Sequence, residues 1–244
     1  MEFGPATFGE LNADDYDALH DPGTTDDCVS AIADLAGSGK LLELAIGTGR
    51  IALPLAQRGL TIHGIEGSPE MVDKLRAKPG GDAIPVSIGD FADVDIDGAF
   101  DFVFLVFNTL FNLTSQAAQV RCFKNVAERL NPGGVFLVET YVPDPARFIN
   151  GQSMRAMHVG FNTAWIEAAI HDPVEQVINH QRIRITSDGI KLIPLPMRYA
   201  WPAELDLMAQ LAGLELKQHW GSWTRAPFTA NSKMHVSIYA KPAH

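Results

Sequence analysis

Residues 43–50 read ELAIGTGR, and this stretch decides the fold that we expect for the chain. It closes an apolar run, LLELAI at 41–46, that predicts a buried strand. Its glycines predict a tight turn into a helix, where a ligand can approach the backbone N–H groups of the helix N-terminus. A glycine-rich turn alone is a weak signal, so the interpretation depends on the sequence around it.

Short apolar runs continue along the chain, with helix-like segments between them. They are TIHGIE at 61–66, IPVSI at 84–88, FDFVFLVF at 100–107 and VFLVET at 135–140. Such near-continuous runs are typical of parallel strands that helices cover on both faces. Ser68 and Pro69 predict the start of one helix, and residues 131–134 (NPGG) predict the end of another over 114–130. The pattern predicts a doubly wound, Rossmann-like α/β fold.

Three regions differ in pattern. Residues 1–40 are acidic and predict a helical lid segment, and residues 41–244 form the main domain. Within that domain, residues 150–200 show the alternation of antiparallel strands, with a hairpin turn at 187–189 (SDG). We expect this insertion, after the fifth strand, to be a cap over the substrate. A helix from Trp201-Pro202 with Leu205, Met208 and Leu211 on one face and strands near 214–221 and 233–241 complete the prediction.

Composition excludes several classes of function. The net charge is −10, from 29 acidic and 19 basic residues, and no basic patch is present, which argues against a nucleic-acid partner. No apolar run approaches the roughly 18 residues of a membrane span, and the acidic N-terminus is unlike a secretion signal. We therefore expect a cytoplasmic protein. Cys28 and Cys122 are far apart and the histidines are scattered, so the sequence predicts no metal site.

The glycine turn leaves two ligand classes open. Gly47, Gly49 and Ala52 satisfy the dinucleotide pattern G-x-G-x-x-G/A, and Glu66 follows at about the distance of a ribose-binding acid, about 20 residues. A nicotinamide-dependent oxidoreductase is therefore one hypothesis. Glu43 favours a cationic ligand instead, because its carboxylate would repel a diphosphate beside the turn. Arg50 argues the other way, since it could serve a phosphate, although it can equally point to solvent.

Five motifs in order, spanning residues 41–140, carry a family resemblance. They are ELAIGTG, GIEGSPEM, IGDF, FDFVFLVFNTLFNL and LNPGGVFLVET. The set resembles class I S-adenosylmethionine-dependent methyltransferases, which implies a seven-stranded sheet whose last strand is antiparallel. The resemblance also implies a cofactor site. Its residues are Glu43, Ala45, Gly47, Thr48 and Gly49 at the methionine end, Glu66 and Gly67 at the ribose, Met71, Asp90 and Phe91 at the adenine, and Phe107 and Asn108 near the methionine moiety.

The flanking architecture is similar to that of small bacterial N-methyltransferases that act on aminosugars and lincosamide-type antibiotic intermediates. Some aminosugar members have a histidine, proposed as a base, in the loop after the fourth strand, where this chain has Asn112. Without that base, an amine of a small specialised metabolite is the favoured acceptor. We predict Tyr16 and Tyr141 beside the transferred methyl group, and Asn112, His158 and Trp165 at the substrate.

Other functions remain open at this point. A hydroxyl acceptor would need a base, for which His158 and His171 are candidates. A cofactor-binding protein without turnover is a further alternative. The aromatic insertion either closes a pocket or joins subunits of a homo-oligomer.

Overall fold

Two β-sheets organise the computed structural model, which describes residues 3–243. The strands are β1 (Leu41–Leu44), β2 (Ile62–Glu66), β3 (Val86–Ile88), β4 (Phe100–Leu105), β5 (Leu130–Tyr141), β6 (Gln152–Val159), β7 (Thr163–Asp172), β8 (Val177–Thr186), β9 (Gly189–Arg198), β10 (Glu215–Trp220) and β11 (Met234–Ala240). The helices are α1 (Thr7–Asn12), α2 (Tyr16–Leu19), α3 (Thr25–Ala36), α4 (Ala52–Gln57), α5 (Pro69–Arg76), α6 (Gln116–Arg129) and α7 (Pro202–Leu211).

The larger sheet has seven strands in the order β10-β11-β5-β4-β1-β2-β3. Strands β1 to β5 run parallel, and β11 is antiparallel to both of its neighbours. This arrangement confirms the predicted seven-stranded sheet with an antiparallel last strand. The strand order reverses between β1 and β4, which places a crevice at the carboxyl ends of these strands.

Helices cover both faces of this sheet. Cys28, Val29 and Ile32 of α3 are buried in one hydrophobic cluster with the first face. Phe123 of α6 and Leu205 of α7 are buried in a second cluster with the opposite face. The doubly wound fold predicted from the apolar runs is therefore confirmed.

Local signals set several element boundaries. Ser68 has extended backbone and its hydroxyl accepts a hydrogen bond from the Met71 N–H at 3.3 Å, which is the predicted N-cap of α5. The predicted fourth strand over 100–107 is two residues too long. Strand β4 ends at Leu105 because Phe107 and Asn108 adopt φ values of +62° and +64°, which cannot continue a strand.

Two other predictions about elements need correction. Strand β5 begins at Leu130, five residues before the predicted 135, because Leu130 pairs with Phe100 of β4 across a register shift. The predicted buried face of α7 included Leu211, which is 66% exposed. The predicted Leu205 and Met208 are buried, together with Ala209, so the buried stripe ends two residues earlier than expected.

The smaller sheet is the predicted antiparallel insertion after β5. Strands β6 to β9 pair in sequence order, and β8 and β9 form a hairpin around the two residues 187–188. Ala169, Ile178 and Leu195 on its inner face join the hydrophobic cluster of the main domain. This sheet, called here the cap sheet, is therefore packed onto the domain.

The predicted lid segment 1–40 divides into two parts. Helices α1 and α2 lie at the crevice, whereas α3 is packed into the core of the main domain. The predicted lid function therefore concerns only the first part. Within residues 3–243, no helix combines the length and apolar character needed to cross a membrane.

Candidate active site

One large cavity, of about 840 Å³, lies at the carboxyl ends of β1, β2, β4 and β5. The segment from Phe3 to His20 closes one side, and the inner face of the cap sheet closes another. Its volume is near the upper end of the range of about 300–1,000 Å³ typical of small-molecule sites. Twelve of the predicted site residues line it: Tyr16, Ala45, Gly47, Glu66, Gly67, Met71, Asp90, Phe91, Phe107, Asn108, Asn112 and Tyr141.

The glycine turn after β1 brings backbone to the cavity surface. Ala45 and Gly47 both have positive φ, at +54° and +57°, and both line the cavity. Gly49 also has positive φ, but a Cβ there would lie 2.3 Å from Cδ1 of Leu75. Gly49 therefore serves the packing of the turn against α5 and does not line the cavity.

Glu66, at the end of β2, is the acid at the centre of this turn. Its Oε2 accepts the Gly47 N–H at 2.8 Å, and its Oε1 accepts the Ser68 N–H at 3.0 Å. Burial raises the pKa of Glu66, while backbone hydrogen bonds from Ser68, Gly47 and Gly67 oppose this rise. A carboxylate has about four acceptor positions, so Glu66 retains capacity for a ligand hydroxyl in the cavity.

The prediction that the Glu43 carboxylate faces the ligand needs correction. Glu43 is 3% exposed, lies behind the glycine turn and does not line the cavity. Burial raises its pKa well above the ordinary value, although the charge of Arg50 and the Ala52 N–H act against this. Its Oε2 accepts no hydrogen bond from the described residues. Glu43 is therefore buried behind the turn and does not face the cavity.

Thr48 is also behind the cavity surface, although it was predicted to bind cofactor. Its hydroxyl donates to Asp17 of α2 at 2.5 Å, and its carbonyl accepts from Lys78 at 2.8 Å. Lys78 in turn pairs with Asp17 at 2.6 Å. Thr48 thus ties the glycine turn to the N-terminal segment.

Arg50, the candidate phosphate ligand in the sequence, does not reach the large cavity. Its guanidinium donates to the Thr25 hydroxyl at 3.0 Å and lies 4.9 Å from the ring centre of Phe107. It does not line the large cavity. The glycine turn therefore faces a cavity that presents Glu66 and no guanidinium beside it.

The predicted adenine end is formed by α5 and the loop after β3. Met71 and Phe91 supply apolar surface beside Asp90. Asp90 Oδ1 accepts the Ala92 N–H at 2.8 Å, which fixes the turn. Gly67 allows close approach of the N-terminal segment, because a Cβ there would lie 2.5 Å from the Pro5 carbonyl oxygen.

The turn after β4 is held in an uncommon conformation. The Phe107 N–H donates to Oε2 of Glu139 at 2.7 Å, and the Asn108 N–H donates to the Glu139 carbonyl at 3.2 Å. Oδ1 of Asn108 accepts the Tyr141 N–H at 2.5 Å. Positive φ at two successive non-glycine residues persists where surrounding bonds over-determine it, as is common at functional sites.

Tyr16 and His20 form a stacked pair on α2. Their ring centres are 4.8 Å apart, with an angle of 12° between the planes. Burial raises the pKa of Tyr16, and burial together with the charge of Arg182 lowers the pKa of His20 to about 4. Nε2 of His20 accepts from Arg182 at 3.0 Å. At neutral pH the Tyr16 hydroxyl therefore keeps its proton, and the Nε2 lone pair of the neutral His20 is occupied by Arg182.

Tyr141 lies on the far side of the cavity, at the end of β5. Its ring packs edge-on against Phe111 at 4.9 Å, and its hydroxyl is buried without a hydrogen-bond partner among the described residues. Burial raises the pKa of Tyr141 to about 12. Asn112 lines the cavity nearby, in the 3-10 turn Thr109–Asn112.

A charged wall on the cap sheet was missed by sequence reasoning. Oε1 of Glu167 accepts from Nε of Arg155 at 3.0 Å and lies 2.9 Å from Nη2 of Arg155 and 3.4 Å from Nδ1 of His180. Arg182 follows at 3.8 Å from Oε2. Burial alone would raise the pKa of Glu167, but His180, Arg155 and Arg182 outweigh it and lower the pKa to about 2. All four side chains line the cavity.

His158 and Trp165, predicted to contact substrate, do not line the cavity. They form one cross-strand pair on the inner face of the cap sheet, beyond Glu167. The Arg184 guanidinium lies 5.4 Å from the ring centre of Trp165, and its Nη1 lies 2.5 Å from Oδ2 of Asp15. These contacts occupy that end of the sheet. His171, the other candidate base, makes a 3.0 Å hydrogen bond with the Tyr199 hydroxyl.

Metal ligands are not grouped in the part of the chain that the structure describes. No cluster of three or more His, Cys, Asp or Glu side chains there could hold a metal ion.

Comparison with known proteins decides between the ligand classes left open by the glycine turn. Residues 41–134 match a family model described as a methyltransferase domain. Over 99% of this chain and 100% of the other, the structure is similar to the CcbJ methyltransferase from Streptomyces caelestis, with a TM-score of 0.93 and 38% sequence identity. The chain belongs to the class I S-adenosylmethionine-dependent methyltransferases.

Two further relatives agree with this family. The methyltransferase is 28% identical, over 79% of each chain, to the cypemycin N-terminal methyltransferase of a Streptomyces species. Its fold is similar to that of S-adenosylmethionine-bound CalS10 from Micromonospora echinaspora, an amino pentose methyltransferase involved in calicheamicin biosynthesis, with a TM-score of 0.70 and 19% identity over 99% of this chain and 98% of the other. As a member of the S-adenosylmethionine-dependent family, this methyltransferase uses S-adenosylmethionine as its cofactor.

The residues of the cavity fit this cofactor. Glu66 has an open acceptor position for ribose hydroxyls, and Gly47 offers unobstructed backbone beside it. Arg50 and Lys78, the cations at the glycine turn, do not line this cavity.

Proposed function

We propose that this methyltransferase transfers the methyl group to an amine nitrogen of a small specialised metabolite. Bound S-adenosylmethionine supplies an electrophilic methyl group. Transfer of this group converts the cofactor to S-adenosylhomocysteine. A neutral amine attacks such a methyl group without help from a base, whereas a hydroxyl normally needs one.

The observation that carries this proposal is the protonation state of the side chains around the predicted transfer position. Tyr16 has a raised pKa, and Tyr141 has a pKa of about 12, so both hydroxyls keep their protons at neutral pH. His20, with a pKa of about 4, is neutral, and Arg182 occupies its Nε2 lone pair. Asn108 and Asn112 do not titrate. This surface positions an acceptor and removes no proton from it.

Positioning alone can account for much of the rate. Holding two reactants in line is worth roughly 7–11 kcal/mol of the barrier. We assign the ribose hydroxyls to Glu66 and the methionine moiety to the turn at Phe107 and Asn108. Tyr16 and Tyr141 flank the acceptor nitrogen, and the buried, partly apolar cavity favours the neutral form of an amine over its ammonium.

The names of the relatives agree with this choice. The cypemycin relative acts on an N-terminus, and a second curated relative, from Saccharopolyspora spinosa, is a dTDP-4-amino-2,3,4,6-tetradeoxy-D-glucose N,N-dimethyltransferase, 30% identical over 57% of this chain. Both modify nitrogen.

A hydroxyl acceptor is the second candidate, and one observation favours it. His180 lines the cavity with Nδ1 at 3.4 Å from Glu167, an arrangement that can orient an imidazole as a base. His180→Gln would then abolish transfer. Transfer to nitrogen predicts that activity survives this substitution.

The test is incubation with 13C-methyl-labelled S-adenosylmethionine and a panel of aminosugars, amino acids, phenols and alcohols. Mass spectrometry detects the added methyl group. The 13C NMR chemical shift of that methyl group then distinguishes attachment to nitrogen from attachment to oxygen. We expect N-methyl products. Products methylated only on oxygen, or no product from any member of the panel, would overturn the proposal.

We also infer that the methyltransferase self-associates through the outer face of the cap sheet. Two cross-strand rows on this face are entirely apolar: Val159, Ala164, Ile185 and Ile190, then Ala156, Ile166, Ile183 and Leu192. Exposed apolar surface of this extent is typical of protein interfaces. A second copy presents the same two apolar rows and is the occupant we propose. A cytoplasmic location and the lack of a nucleic-acid partner remain predictions from charge and composition.

A further inference from the structure

We propose that the methyl acceptor carries an anionic oxygen group, and that Arg147, Lys233 and the Tyr141 hydroxyl bind it. This inference rests on the proposed transfer to an amine and names the class of that amine: one that also bears a carboxylate or a phosphate. All three side chains line the cavity, and Tyr141 and Lys233 lie where β5 ends and β11 begins.

Backbone pairing brings these residues together. Tyr141 pairs with Met234 at the ends of β5 and β11, and the next hydrogen bond runs from the Val142 N–H to the Lys233 carbonyl at 2.8 Å. Arg147 follows in the short 3-10 helix Pro145–Arg147, in the loop that leaves β5. Two strand ends and one loop therefore each supply one donor to the cavity. The charge of Arg147 also acts on the Tyr141 hydroxyl and opposes the rise in its pKa that burial causes.

The two cations have no carboxylate partner. Among residues 3–243, no acidic oxygen lies within 4.0 Å of Arg147 or Lys233, although Asp144 lines the same cavity. The nearby charge of Glu167 is already matched by Arg155. Two uncompensated cations at one end of a cavity are notable in a chain of net charge −10.

The Arg147 guanidinium and the Tyr141 hydroxyl are both hydrogen-bond donors suited to an oxyanion. The Arg147 guanidinium lies 4.7 Å from the ring centre of Phe148, which holds its plane, and guanidinium matches carboxylate and phosphate in two-point hydrogen bonds. The buried Tyr141 hydroxyl has no partner in the described structure. A buried hydroxyl without a hydrogen bond costs free energy, and an oxyanion would accept its proton. The high pKa of Tyr141 keeps that proton in place.

The position of this wall separates it from the cofactor. Tyr141 ends β5 and Glu66 ends β2, and β4 and β1 lie between them in the sheet. Three strand spacings of about 4.8 Å place the two strand ends about 14 Å apart. An anion at Arg147 would therefore lie across the cavity from the ribose and leave the middle for the reacting nitrogen.

The experiment compares acceptors that differ only in the anionic group. An amine found with the labelled-methyl panel is assayed as the free carboxylate, as its primary amide and as a matched phosphate ester. We expect KM to rise roughly tenfold or more when the anion is removed, while kcat changes less than about threefold. Whichever anion has the lower KM identifies the class.

Substitutions of Arg147 and Lys233 test whether these side chains cause the difference in KM. Arg147→Gln and Lys233→Gln should each raise KM for the anionic acceptor about tenfold and leave KM of the amide unchanged, whereas Lys124→Gln, an exposed lysine on α6, should alter neither. Retained binding of S-adenosylhomocysteine by calorimetry shows that each variant is folded. Arg147→Lys, which keeps the charge, should recover part of the loss.

Two results would overturn the inference: equal KM values for anionic and neutral acceptors, or equal losses with both acceptors in the Arg147 variant. Either can occur while amines are methylated, so the anion subsite can fail without the proposed function. If the panel yields no N-methyl product, the proposed function fails first.

Discussion

Replacing Glu167 by glutamine tests the charged wall of the cap sheet. The folded protein lowers the pKa of Glu167 from 4.5 to about 2, a difference that corresponds to about 3 kcal/mol of stability at neutral pH. Because the Arg155 side chain is 57% exposed, solvent screens its pair with Glu167, and we reduce this to about 2 kcal/mol. For a chain of this length the loss corresponds to a fall in Tm of about 4–8 °C.

The pH dependence separates this charge effect from a loss of packing. A carboxylate whose pKa is lowered by folding stabilises fully above its unfolded pKa, here 4.5, and loses that contribution as the pH falls toward about 2. Urea unfolding should therefore give the full difference between wild type and Glu167→Gln at pH 7 and at pH 5.5. At pH 3.5 the difference should be smaller by roughly a third to a half.

The matched control is Glu175→Gln, the same substitution on the exposed turn between β7 and β8. It should leave the free energy of unfolding within about 0.5 kcal/mol of wild type. A Glu167→Gln loss that is equal at pH 7 and pH 3.5, or no larger than that of the control, would refute the charge argument.

Three more perturbations test other parts of the account. Glu66→Gln should weaken S-adenosylhomocysteine binding about tenfold or more in calorimetry, because an amide cannot accept the backbone N–H groups and the ribose hydroxyls together, while exposed Glu128→Gln should have no effect. Tyr141→Phe should raise KM for an anionic acceptor about fivefold without altering the pH–rate profile between pH 6 and 9, because the pKa of this hydroxyl is about 12; a changed profile would assign it a proton-transfer role. Leu192→Glu, on the outer face of the cap sheet, should convert an oligomer to monomer in light scattering, and an unchanged molar mass would exclude that face as the interface.

Local sequence signals were sufficient to predict most of the helices and strands. The Ser68-Pro69 pair marks a helix start wherever it lies in the chain, and the hairpin turn at 187–188 depends only on its own residues and their neighbours. Boundaries set by distant partners were less predictable. Strand β5 starts at Leu130 because β4 lies beside it, a contact that no pattern near Leu130 reveals.

The cofactor end of the cavity was predictable because parallel strands end at one edge of a sheet, so Gly47, Glu66 and Asn108 had to meet there. The acceptor end depends on how antiparallel strands align. Glu167 meets Arg155 and Arg182 through the register of β6, β7 and β8, which a one-residue shift would change. The alternation of Arg182 and Arg184 with isoleucines was a usable signal of a polar inner face.

Glu43 shows a different limit. Its place near the end of β1 suggested direct contact with ligand, but its side chain is buried and does not line the cavity. Of the two acids predicted at this turn, only Glu66 lines the cavity, a difference that the sequence pattern does not reveal.

The central claim is that the cavity positions an amine without removing its proton. The direct measurement is kcat/KM as a function of pH for two acceptor amines whose own pKa values differ by about two units. We predict that the acid limb of the profile moves with the pKa of the amine, because the free base of the acceptor is the reacting species. A limb that stays at one pH for both amines would belong to a group on the protein and would contradict the account.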